Sequence, residues 1–123
     1  MAKILVVDDD PLMLLACQHF LIGEGYQVLG ATDGLSALEM ARKERPDLII
    51  LDLMLPKLDG FEVCNMLKAD EKFKAIKILM VTGRKDENTI ETSKEAGADG
   101  YLTKGCSPQR LLEVIKRLLG KQK

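Results

Sequence analysis

The chain has 123 residues, of which 46% are hydrophobic and 30% charged, with a formal net charge of −1. That length suits one domain with a buried core, and the apolar content excludes a disordered chain. The near-neutral balance argues against broad electrostatic capture of nucleic acid, and no apolar stretch approaches the roughly 20 residues that cross a bilayer. The cysteines Cys17, Cys64 and Cys106 are odd in number and form no C-x-x-C pair. Neither a disulfide framework nor a structural zinc site is expected, and a reducing, cytoplasmic setting fits better. Met1-Ala2-Lys3-Ile4 leads directly into a strand pattern, so no signal peptide is expected.

Strands and helices alternate along the chain. Residues 3–8 read as strand one. Asp10-Pro11 starts helix one, an N-cap acid followed by proline in the first turn, and Leu12, Leu15, Ala16 and Phe20 fall at helical spacing. Gly23-Glu24-Gly25 stops that helix, and residues 26–31 form strand two. Asp33-Gly34 opens helix two, with Leu35, Leu38 and Ala41 on one face, until Arg45-Pro46 breaks it. Residues 47–51 are strand three, a continuous apolar run of the kind covered on both faces. A loop with Pro56 and Gly60 leads to helix three at 61–69. Strand four is 77–81, and helix four is 86–96, with Ile90 and Ala96 as its chief apolar anchors and Gly97 as its stop. Strand five is 100–103. Ser107-Pro108 repeats the cap-plus-proline signal and opens helix five, whose apolar face is Leu111, Leu112, Ile115, Leu118 and Leu119. Residues 121–123 read as a frayed tail.

This alternation predicts an α/β fold, a doubly wound five-stranded parallel sheet of order 2-1-3-4-5 with helices on both faces. Ligands of such sheets bind outside the carboxyl ends of the strands. Those ends carry Asp8-Asp9, Asp52, Thr82 and Lys104, so three carboxylates, a hydroxyl and an ammonium converge on one crevice. Strands one and three lie side by side in this order, about 4.8 Å apart. Carboxylates crowded at such spacing need a cation or a raised pKa, and their hard oxygens suit Mg²⁺. Asp10 is explained as a helix cap, and Asp9 alone could be one. Asp52 is harder to explain that way, because Leu53-Met54-Leu55-Pro56 follows it and not a helix. Lys104 is either a solvated lysine or a donor to a carboxylate or phosphoryl oxygen, and Thr82 is either a turn residue or a hydroxyl donor to the same group.

The stretches Val7-Asp8-Asp9-Asp10, Leu51 to Gly60, Val81-Thr82-Gly83 and Tyr101-Leu102-Thr103-Lys104 closely resemble the receiver domain of two-component response regulators. The likeness runs through essentially the whole chain, 1–123, and implies a flavodoxin-like fold similar to the single-domain chemotaxis regulators. It implies that Asp52 is the phosphoacceptor and that Asp8 and Asp9 are the metal-binding acidic pair, with the backbone carbonyl of Met54 as a further ligand. It implies that Thr82 and Lys104 contact the phosphoryl oxygens and that Tyr101 is the aromatic whose rotamer reports activation. The implied cofactor is Mg²⁺. The implied donor is a phosphohistidine on a histidine kinase or phosphotransfer protein. His19, mid helix one, is the chain's one histidine and reads as a partly exposed packing residue.

Two departures stand out. Receivers usually carry a cis proline after the lysine, whereas Gly105 follows here. A non-proline cis bond costs about 2.5–4 kcal/mol, so a trans bond or looser loop and a less fixed Lys104 are expected. Met54 and Arg84 occupy positions that vary in the family, and neither can orient a hydrolytic water, so a long-lived aspartyl phosphate is expected. Cys106, two residues from Lys104, reads more readily as a spectator than as a redox group.

The leading expectation is a signalling module, not an enzyme beyond its own phosphoryl transfer and dephosphorylation. Thinly anchored helix four, with strand five and helix five, is the expected face for a downstream protein. No direct nucleic-acid or membrane contact is expected, and the chain is a monomer or a phosphorylation-dependent dimer. No output domain is expected after helix five, and stand-alone protein or part of a larger one stay equally open. A Mg²⁺-dependent phosphohydrolase using Asp52 is an alternative, weakened because Met54 stands where a second acid would serve a leaving group. A non-phosphorylated scaffold is another, kept open by Gly105. A flavin or dinucleotide carrier lacks its G-x-G-x-x-G after strand one.

Overall fold

The computed structural model of the chain describes residues 1–83 and 86–120. In chain order, the elements are β1 (Lys3–Val7), α1 (Pro11–Gly23), β2 (Gln27–Ala31), α2 (Gly34–Glu44), β3 (Leu48–Leu51), α3 (Gly60–Lys68), β4 (Lys77–Thr82), α4 (Glu87–Glu95), β5 (Gly100–Thr103) and α5 (Pro108–Leu119). The strands form one parallel sheet of order β2-β1-β3-β4-β5, as the alternation predicts. The helices start where local chemistry starts them. Asp10, Asp33, Asp59, Asp86 and Ser107 are the N-caps, each accepting an amide of the first turn. Asp59 and Glu62 close a reciprocal capping box that the sequence reading did not single out.

Because sheet residues alternate between faces, two apolar clusters lie on opposite sides. Leu5, Val7, Ile49, Leu51, Ile78 and Met80 face α2, α3 and the turn carrying Phe73 and Ile76. Ile4, Val6, Leu48, Ile50, Leu79 and Leu102 face α1 and α5. Burying each such aliphatic side chain is worth about 1.5–3 kcal/mol before conformational entropy is counted. Lys68 closes the lower edge. Its Nζ donates to the carbonyls of Lys74 (3.0 Å) and Ile76 (2.8 Å) and to Asp99 Oδ2 (2.8 Å), joining α3 to the starts of β4 and β5.

Four helices bury faces that differ from the expected ones. Leu12 is 77% and Leu15 52% exposed, whereas Leu21 is buried and Leu14, Cys17 and Phe20 pack inward. Helix α1 is apolar around most of its circumference, so its periodicity does not select a face, and docking on the sheet does. Leu35 is also exposed, and α2 instead buries Ala37, Leu38 and Ala41. Gly34 explains the phase. Its amide donates to the Pro56 carbonyl (3.2 Å), and a Cβ there would strike the Leu58 carbonyl, so the first turn lies under loop 52–59. On α5 the buried pair is Val114 and Ile115, with Leu111, Leu118 and Leu119 half-buried beside them. Helix α4 buries Thr89 and Ser93, while Ile90 is half-buried. Ser93 Oγ donates to the Thr89 carbonyl (2.8 Å), so this face is polar but satisfied within the helix.

Candidate functional site

Register brings the site residues together. β1 and β3 pair so that Val7 faces Leu51, and the Asp52 amide donates to the Val7 carbonyl (3.1 Å). Asp8, whose amide bonds the Ala31 carbonyl (3.1 Å), therefore stands beside Asp52 at the carboxyl edge. β4 and β5 pair with Thr82 opposite Thr103, and the Lys104 amide donates to the Thr82 carbonyl (2.8 Å). Four strand ends thus supply one crevice. Gly60 seats the loop after β3, for a Cβ there would lie 2.5 Å from the Asp52 carbonyl oxygen.

Asp8, Asp9 and Asp52 each place a carboxylate oxygen within 4.8 Å of the other two. Asp52 is 5% exposed and Asp8 8%, whereas Asp9 is exposed. Lys104 answers the two buried acids. Its Nζ donates to Asp52 Oδ2 at 2.8 Å and lies 3.2 Å from Asp8 Oδ2. The other oxygens also have partners: Asp8 Oδ1 accepts the Asp10 amide (3.0 Å), and Asp52 Oδ1 accepts the Met54 amide at a longer 3.4 Å. Burial pushes the Asp52 carboxyl above its ordinary value, and the opposing pull of Lys104 does not cancel the effect. For Lys104, burial pulls the ammonium down, but hydrogen bonds to Asp52 and Asp8 outweigh it and the net direction is up.

The remaining expected residues fall around this centre. Thr82 is 1% exposed at the end of β4. Tyr101 is half-buried on β5, with its hydroxyl out of solvent. The Met54 side chain is exposed. Asp10 caps α1 through Leu12 and is not in the carboxylate cluster. His19 is exposed on α1. The Lys104–Gly105 peptide is trans, and Lys104 is held by two carboxylates, tighter than a loosened loop would leave it. Arg84, and the tail at 121–123, lie outside the described residues. A cleft of about 220 Å³ opens from Asp8, Asp52 and Lys104 and runs between α1 and α5. The sequence reading missed its wall residues Met13 and Cys17, because helix periodicity does not point to them.

Carboxylate oxygens at this spacing are the hard donors that a divalent cation takes, so the cluster fits a metal. A nearly buried aspartate paired to a lysine thus stands on the ligand-binding edge of a doubly wound sheet. The sequence profile of the response regulator receiver domain matches residues 4–116. PilH of Pseudomonas aeruginosa is 36% identical over 119 residues, covering 97% of this chain and 98% of that protein. The alkaline phosphatase synthesis transcriptional regulatory protein PhoP of Bacillus subtilis is 44% identical over 117 residues, covering 95% of this chain but 48% of its own length. The structure of chemotaxis protein CheY4 of Vibrio cholerae superposes with a TM-score of 0.90 at 36% identity, covering 96% of this chain and 98% of that one. The chain belongs to the response regulator receiver domain family of two-component systems. It spans about half the length of the transcriptional regulators among its curated relatives. Among the described residues, no helix is long and apolar enough to cross a membrane.

Proposed function

We propose that Asp52 accepts a phosphoryl group from the phosphohistidine of a histidine kinase or phosphotransfer protein, and that residues 1–123 form one receiver domain. The observation that carries this reading is a nearly buried carboxylate, 5% exposed, held 2.8 Å from Lys104 inside a cluster of acids. A carboxylate oxygen of Asp52 attacks phosphorus, the bond from phosphorus to the imidazole nitrogen breaks, and its electron pair leaves with the imidazole. Lys104 exchanges its ion pair with Asp52 for one with a phosphoryl oxygen, and the Thr82 hydroxyl donates to another. Asp8, Asp9 and Asp52, with the Met54 carbonyl, would hold Mg²⁺, which when bound supplies charge neutralisation between nucleophile and phosphoryl oxygens.

The readout surface is the face made by α4, β5 and α5. The α4 helix buries little apolar surface, so its local stability is low and a small change at Thr82 and Tyr101 can reorder it. A downstream protein reads that face. The domain acts in the cytoplasm as a monomer or phosphorylation-dependent dimer, without contacting nucleic acid or membrane itself, and turns over no substrate beyond its own phosphoryl group. With Met54 exposed beside Asp52 and no carboxylate or amide in its place, the aspartyl phosphate is long-lived.

The test is intact mass after incubation with Mg²⁺ and acetyl phosphate or phosphoramidate, beside Asp52→Asn. One phosphate adduct, absent from the variant and blocked by chelation, is expected. No adduct at any donor concentration refutes the reading and leaves a scaffold. Steady turnover of a phosphate ester would instead support a phosphohydrolase.

A further inference from the structure

The cleft beside Asp52 holds two thiols that phosphoryl transfer does not use. Cys17 comes from α1 and Cys106 from the turn between β5 and α5, and both line the same space of about 220 Å³. Both are half-buried and pack against the same apolar cluster. Cys64 is on the other side of the sheet, fully buried, with its Sγ directed at the Ala96 carbonyl (3.4 Å). We propose that Cys17 and Cys106 are a modification site, at which a peroxide closes a disulfide across the cleft between α1 and α5.

The turn that carries Cys106 can supply the adjustment that a disulfide geometry requires. Gly105 precedes it at φ +94°, a conformation open to glycine at no steric cost, and no atom beyond its chain neighbours lies within 4 Å of where its Cβ would be. The Cys106 amide is tied back to the Thr103 carbonyl at a long 3.3 Å. Burial pushes the Cys17 thiol up to about 11, with smaller contributions in the same direction from Asp8 and Cys106. The oxidant reacts first at Cys106, which sits on the turn, because burial holds the Cys17 thiol in its protonated form.

The chemistry closes with peroxide as oxidant. The Cys106 sulfur attacks one peroxide oxygen, the O–O bond breaks, and a sulfenic acid and water result. The Cys17 sulfur then attacks the Cys106 sulfur, the S–S bond forms, and the S–O bond breaks. The departing hydroxide takes the Cys17 proton and leaves as a second water. Two thiols are oxidised by two electrons, and the peroxide is reduced. The product ties the turn bearing Lys104, two residues before Cys106, to α1, and so restrains the ammonium that must re-pair during phosphoryl transfer.

The experiment treats the full chain with hydrogen peroxide, blocks remaining thiols, and maps peptides. The expected product is lighter by two hydrogens, links Cys17 to Cys106, survives Cys64→Ser and reverts with dithiothreitol. In Cys17→Ser the same treatment should leave an oxygen adduct on Cys106. Oxygen adducts on Cys106 in the parent without a cross-link overturn the proposal, as do links to Cys64, links between chains, or unreacted thiols. These masses are read without a phosphoryl donor, so their failure is separate from failure of the receiver reading. Reduced protein that forms the phosphate adduct at least threefold faster than oxidised protein is the expected consequence, and equal rates overturn the coupling to Lys104.

Discussion

Replacing Lys104 by methionine removes the cation that faces two buried carboxylates while keeping most of its volume. At an effective dielectric of about 20, the contacts at 2.8 Å and 3.2 Å correspond to gross attractions of about 6 and 5 kcal/mol. Desolvation of the three groups offsets much of that, and the net effect of deleting one partner of a buried pair is about 3 kcal/mol. Without divalent cation, Lys104→Met should be destabilised by that amount near pH 8. The pH dependence has a definite sign. The Asp52 carboxyl already lies above its ordinary value through burial, and without Lys104 it rises further. The pair contributes only where Asp52 is ionised, so the gap between parent and variant fades as pH falls through the raised Asp52 value. Lys104, itself raised, stays charged across this range. Urea unfolding followed by far-UV circular dichroism, with chelator, at about pH 8 and pH 4.5, measures both gaps. A double-mutant cycle with Asp52→Asn should give a coupling of about 2 kcal/mol. A gap that is the same at both pH values, or no gap at pH 8, would refute the assignment of the stabilisation to these ion pairs.

Gly34→Ala should lose about 3 kcal/mol by urea titration, because its Cβ would meet the Leu58 backbone carbonyl; a loss below 1 kcal/mol would mean that loop 52–59 yields freely. The Asp33 carboxyl is held below its ordinary value, chiefly by the backbone amide of Ser36, with the Ser36 hydroxyl and Lys57 assisting. Its contribution to stability is therefore present above the unfolded value of about 4 and is lost as pH falls through the lower folded value; carboxyl NMR showing Asp33 titrating at or above the ordinary value would contradict this. Burial pushes the Cys64 thiol up to about 11, so iodoacetamide near pH 8 should label Cys106 well before Cys64, as read by peptide mass. Prompt labelling of Cys64 in the folded protein would show that α3 opens.

Much of this architecture was written in short-range chemistry. The caps at Asp10, Asp33 and Ser107 and the apolar run 48–51 placed elements within a residue or two of where they lie. The strand ends at Asp8, Asp52, Thr82 and Lys104 followed, because strand order and the common carboxyl edge leave little freedom once the strands are known. What misled was helix phase. Leu12, Leu15 and Leu35 looked like anchors and stand in solvent. On an apolar helix such as α1, many rotations bury comparable hydrocarbon, and the choice depends on neighbours distant in sequence.

The sequence by itself determined the element order, the parallel sheet and the set of residues that meet at its edge, because caps, periodicity and turn residues act over a few positions. Tertiary structure alone decided that one ammonium bridges Asp52 and Asp8, that Asp9 stays in solvent, and that Cys17 shares a cleft with Cys106. Those facts depend on distances of a few ångströms between segments up to 96 residues apart, set by strand register at the acidic site and by how α1 and α5 settle on the sheet at the cleft. Local preference carries no information about such distances.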